Sequence, residues 1–161
     1  MANFLKRLIF NRGGIGKSLS RAETVERINP ILEQHVRLNR SYDAVIRDCS
    51  DAEVTKQLDE LQKKARMDAG KLAETIFSAG GTAYNGTDLE PEDFDLGDSD
   101  GAMLAELREL EQDLHETVTE ERDRNHQLRT DAILQVVEEN SAERLEYLRG
   151  VTKGRRRTAA S

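Results

Sequence analysis

The chain contains no tryptophan, two prolines, one cysteine and only 4% aromatic residues in 161 positions. A lone Cys49 excludes an intrachain disulfide and a cysteine-rich zinc site. No run of about 18 apolar residues is present, so no membrane-spanning helix is expected. Few aromatics and little proline argue against a sheet protein. Charged residues at 34% point instead to long solvated helices around an aliphatic core. The length suits one domain.

Acids are missing from both ends. Residues 1–21 carry Lys6, Arg7, Arg12, Lys17 and Arg21, and residues 151–161 carry Lys153, Arg155, Arg156 and Arg157. Taking these nine cations from a net charge of −7 leaves −16 for residues 22–150. Basic ends on an acidic body are expected to contact acidic surfaces, either the body itself or a neighbouring subunit. No specific nucleic-acid signature accompanies them. Residues 4–9, FLKRLI, could form an amphipathic turn or two but lack the core and cleavage site of a signal peptide. The cytoplasm is therefore expected, with a membrane-surface or organelle-targeting role of the basic N-terminus left open. Residues 12–18, RGGIGKS, resemble the variant phosphate loop of ParA/MinD-type ATPases. Arg12 replaces its signature lysine, and no buried strands follow, so a flexible joint is expected.

What is present is helical periodicity. Ile28, Leu32, His35, Asn39, Tyr42, Ile46 and Cys49 recur in steps of three and four, which is one stripe of a helix, apolar at both ends and polar at its middle. Ser20-Arg-Ala-Glu23 forms a capping box for it, Asn29-Pro30 offers a second start, and one helix beginning at Ser20 and bent near Pro30 satisfies both. Ser50-Asp-Ala-Glu53 caps helix 2, with inward positions Val54, Leu58, Leu61, Ala65, Asp68, Leu72 and Ile76 and a stop at Gly80-Gly81.

Residues 80–101 hold seven acids and five glycines and read as an acidic crossover loop. At about 3.3 Å per residue such a loop can span a helix of about 39 Å, so helix 3 can run parallel to helix 2. Helix 3 is expected to bury Leu104, Leu107, Glu111, Leu114, Val118 and Glu121. Helix 4 is expected to bury Ile133, Val137, Asn140, Arg144, Leu148 and Val151, ending near Gly150. The turn between them falls in 123–131; one continuous rod, suited to a coiled-coil adaptor, is the alternative.

An offset of 76 residues superimposes the halves. Ile28 meets Leu104, Leu58 meets Leu134 and Leu72 meets Leu148, while His35 meets Glu111 and Asp68 meets Arg144. Duplicated helical hairpins joined by a long crossover, with local patterns such as ARMDAGKLAETIFSAGG and EENSAERLEYLRG, resemble the ferritin-like superfamily over roughly residues 22–150. That resemblance implies an all-α, ferritin-like antiparallel four-helix bundle with a long crossover between helices 2 and 3. The domain limits are then a basic arm over 1–19, the bundle over 20–150 and a basic tail over 151–161.

The di-iron members take a Glu from each of two helices and Glu-x-x-His from the other two. Carried over by position, these ligands fall on His35, Ala65 with Asp68, Glu111, and Ser141 with Arg144; Glu111 alone is retained. A guanidinium is a permanent cation that cannot ligate a metal. The expectation is a buried polar network of His35, Asp68, Glu111 and Arg144 in place of the metals, with no catalytic residues and no cofactor. The alternative is a single Fe or Zn held by His35, Asp68, Glu111 and His115, with an iron-handling or oxidase role. LEQHVRLN and LEQDLHETV also look like hemerythrin-type helices, but His35, His115 and His126 are too few for that oxygen carrier. A non-catalytic binding or scaffold protein, acting as a homo-oligomer or on a protein partner, is the resulting functional expectation.

Overall fold

The computed structural model describes residues 18–159. The N-terminal features at 4–9 and 12–17 lie outside the described residues, as does nearly all of the basic arm. Among the described residues four long helices are present: α1 (Arg21–Asp48), α2 (Ala52–Ser78), α3 (Asp100–Arg122) and α4 (Leu128–Ala159). One 3-10 turn (Pro91–Phe94) lies in the crossover.

α1 packs on α2 and α3, and α4 packs on α2 and α3, so the helices form a square with α1 diagonal to α4. Ser50 at the far end of α1 meets Asp100 at the start of α3, while Arg27 near the start of α1 meets Glu121 near the end of α3. α3 is therefore antiparallel to α1 and parallel to α2, as the crossover length allows. The protein is an all-α four-helix bundle with a long connection between its second and third helices.

Local chemistry sets the helix ends. Ser20 and Glu23 form the reciprocal capping box that opens α1. α2 ends in a Schellman arrangement: Gly80 takes φ +85°, its N–H donates to Phe77, and the N–H of Gly81 donates to Ile76. Two capping expectations change. Asp51, not Ser50, caps α2 by accepting from Val54, because Ser50 gives both its N–H and its hydroxyl to Asp100. Asn29 caps nothing. Pro30 sits inside one continuous α1, and the Asn29 side chain clamps the crossover through Thr82 and Tyr84.

The crossover is pinned along α1. Gly86 has φ +72°, and a Cβ there would stand 2.8 Å from Cγ1 of Val36. Gly86→Ala therefore forces a left-handed L-residue against a packed side chain. It is expected to lower stability by about 1–2 kcal/mol, read from the urea midpoint.

The turn after α3 spans 123–127, so helices 3 and 4 are separate and the single-rod reading is overturned. The physical cause is a closed polar junction. His126 is buried with Nε2 2.7 Å from Glu121, which in turn takes a two-point ion pair from Arg27. The Leu19 N–H donates to the Asn125 carbonyl, tying the start of the described chain to this turn.

Burial follows the expected stripes of α2 and α3, with Gln62 and Met103 added. In α4 Val137, Arg144 and Leu148 are buried as expected, and the other three positions differ by one. Leu134, Ser141 and Thr152 are buried where Ile133, Asn140 and Val151 were expected, though Asn140 still reaches Asp68. Residues 151–159 are not a separate tail but the last turns of α4. Thr152 is buried there, and Arg155 reaches Asp51 at 2.8 Å and Asp100 at 3.9 Å.

Candidate functional site

The middle of the bundle is polar. His35 from α1, Asp68 from α2, Glu111 from α3 and Arg144 from α4 each have 0% exposure. Every helix contributes one, because each stripe carries its polar residue at the same depth. Asp68 and Arg144, which the 76-residue offset equates, meet in space: Nη1 of Arg144 donates to Asp68 at 3.4 Å.

Arg144 lies between the two carboxylates. Its Nε donates to Glu111 Oε2 at 3.0 Å, and Nη2 stands 2.9 Å from Oε1 as an ion pair outside hydrogen-bonding alignment. Two further donors complete the cluster. The Tyr42 hydroxyl donates to Glu111 at 2.9 Å, and the Asn140 amide donates to Asp68 at 2.8 Å. The count is two carboxylates for one guanidinium, which leaves the centre short of positive charge.

The titrations follow from burial. Desolvation pushes the Glu111 carboxyl up, outweighing the pull of Arg144 and the donated hydrogen bonds. Asp68 is pushed up for the same reason, against Asn140 and Arg144. Burial raises the Tyr42 phenol well above its ordinary range, so it stays a donor. His35 goes the other way, down to about 3, from burial first and the nearby Arg144 charge second. It is a neutral imidazole, and among the described residues neither ring nitrogen meets a hydrogen-bond partner.

His115 is directed elsewhere. Its Nδ1 lies 2.8 Å from Ser141 Oγ, and that hydroxyl already gives its proton to the Glu138 carbonyl. Nδ1 of His115 is therefore the donor and cannot ligate a metal, and the lone pair of the ring is on Nε2. Among the described residues no group of three or more His, Cys, Asp or Glu side chains is placed to hold a metal ion.

The residues present do not fit a two-metal centre. Ala65 and Ser141 occupy two of the positions that the family resemblance reserves for carboxylates, and both are buried. A cation that cannot ligate sits between the carboxylates that remain. What the arrangement does chemically is hold charge: each acid is hydrogen-bonded by Arg144 and by one neutral donor. Sequence reading missed Tyr42 and Asn140 as members. The only signal was their place on the stripes of their own helices, Tyr42 two turns from His35 and Asn140 one turn from Arg144.

A helical bundle centred on a buried arginine–carboxylate cluster is the class that fold and site define. The sequence matches no family model, and no curated protein matches it.

Proposed function

We propose that the chain is a ferritin-like bundle whose metal centre has been replaced by an ion-pair network, acting as a non-catalytic binding or scaffold protein. One observation carries the reading: Arg144, fully buried, bonds the carboxylates of two different helices. A guanidinium there balances acids that a metal would otherwise balance, and it welds α2, α3 and α4 into one body. A rigid interior without an exposed reactive group suits a protein that works through its surface. The reading places it in the cytoplasm, as a homo-oligomer or on a protein partner, with basic ends against acidic surfaces.

The alternative, a single iron or zinc ion with an iron-handling or oxidase role, is favoured by the bare ring nitrogens of His35. Metal analysis of protein purified without chelator decides between them. No stoichiometric transition metal is expected in the unaltered chain. The Arg144→His variant should gain one, because it removes the cation and adds an imidazole beside His35, Asp68 and Glu111. A stoichiometric metal in the unaltered chain, lost in His35→Ala, would overturn the proposal.

A further inference from the structure

Three large apolar side chains are exposed among the described residues: Met67 at 62%, Phe77 at 80% and Leu128 at 82%. Two of them, Met67 and Phe77, share one stripe of α2. At 100° per residue the outward line through Gly70 also carries Lys63, Arg66, Ala73 and Glu74. A Cβ built on Gly70 meets nothing within 4 Å, so the middle of this face is open. Beside Phe77, the residues Ala73, Glu74, Ser78, Ala83 and Arg129 line a groove of about 450 Å³.

The stripe is complementary to itself. When two copies of α2 are laid antiparallel across a two-fold axis at Gly70, each residue faces the one equally far on the other side. Arg66 then faces Glu74 of the second copy, and Glu74 faces its Arg66. Met67 faces Ala73, at the edge of the groove. Lys63 faces Phe77, where its methylene stem and ammonium can lie over the ring. A two-fold interface demands such reciprocal pairs, and this stripe supplies opposite charges at one pair and apolar contact at the next. Among the described residues Arg66 reaches only the exposed Asp43, at 3.0 Å, and a surface pair of that kind holds little energy.

We propose that α2 is a homodimer interface, a second copy docking antiparallel across Gly70 with Met67 entering the groove beside Phe77. The proposal does not depend on what the bundle centre does. A single helix pair buries less than a standard interface of about 1,600 Å², so association is expected in the micromolar range.

Sedimentation velocity on the full chain, from a few to several hundred micromolar, should show a monomer–dimer equilibrium. Phe77→Glu should weaken it at least about 30-fold, as for an interface hot spot. Leu128→Glu, off the stripe, should leave it unchanged. Arg66→Glu and Glu74→Arg should each weaken association, and the double variant should restore it. In a Cys49→Ser background, Gly70→Cys should form a disulfide-linked dimer on mild oxidation, because a residue on the axis faces its own copy. Gln57→Cys, on another side of α2, should not. A monomer throughout the range overturns the proposal. So does a dimer indifferent to Phe77→Glu or abolished by Leu128→Glu, since another surface would then be in use. Failure of the charge-swapped pair to restore association overturns the stated register.

Discussion

Arg144→Met is expected to destabilise the fold by about 3–5 kcal/mol at pH 7, as when one partner of a buried ion pair is removed. Methionine keeps much of the side-chain stem, so the loss is mainly of charge and donors. Glu111 keeps the Tyr42 hydroxyl and Asp68 keeps the Asn140 amide, but neither keeps a cation. The deficit has a pH signature. Burial already pushes both carboxyls up while Arg144 pulls them down, so removing it pushes them further. An acid whose folded pKa is raised binds its proton more tightly folded than unfolded. Its contribution to stability is complete at low pH and is lost as pH rises through the folded value. The gap between variant and parent should therefore narrow as pH falls from 7 to 5. Urea unfolding followed by circular dichroism at pH 5, 6 and 7 reads this directly. Combining Arg144→Met with Asp68→Asn and Glu111→Gln should recover most of the loss, because no charge is then stranded. A pH-independent loss below about 1 kcal/mol would show that Arg144 compensates nothing.

The central arginine was legible because polarity interrupts each helical stripe at one depth. In α2 and α3 the inward positions are apolar or small but for Gln62, Asp68, Glu111 and Glu121, and the period of 3.6 reads without ambiguity. α4 was legible at Val137, Arg144 and Leu148 but missed by one residue at its other inward positions. Thr130, Ser141 and Thr152 are buried there, and a hydroxyl hides its suitability for a core when it can bond its own helix. Thr152 gives its proton to Leu148, and Ser141 gives its to Glu138. Ile133 and Val151 drew the stripe toward themselves by hydropathy alone. The basic composition of residues 151–159 likewise concealed a helix, since Arg155 is held by Asp51 and Asp100 from other elements and not by its neighbours in sequence. His115 shows the same limit. Four residues after Glu111 it shares that face, yet the partner that claims it, Ser141, comes from α4. Spacing places a side chain on a face; which neighbour it bonds depends on the packing of another helix.

Acid should unfold this protein largely through His35. The imidazole is fully buried and is held neutral down to about 3, against an ordinary value of 6.5. A base with a depressed folded pKa leaves the unfolded chain binding a proton that the folded chain refuses. Its contribution to stability is complete above 6.5 and is lost as pH falls from 6.5 towards 3. That interval is about 3.5 pH units, and at about 1.4 kcal/mol per unit it amounts to about 5 kcal/mol, a large share of a typical domain's stability. Asp68 and Glu111 act with the opposite sign, so the parent's profile alone mixes the two. Comparison with His35→Leu separates them, because the carboxylates are common to both proteins. At pH 7.5 the leucine variant should be as stable as the parent or more stable by about 1–2 kcal/mol, since a buried polar ring without a protein partner is removed. By pH 4 its advantage should widen by about 3 kcal/mol. Chemical denaturation at half-unit steps from pH 7.5 to 4 measures that widening. Parallel profiles would mean that the imidazole takes up its proton in the fold at the same pH as in the unfolded chain, near 6.5, so that below this pH the folded ring is charged. Arg144 would then share the neutralisation of Glu111 and Asp68 with a second buried cation, and the centre would no longer be short of positive charge.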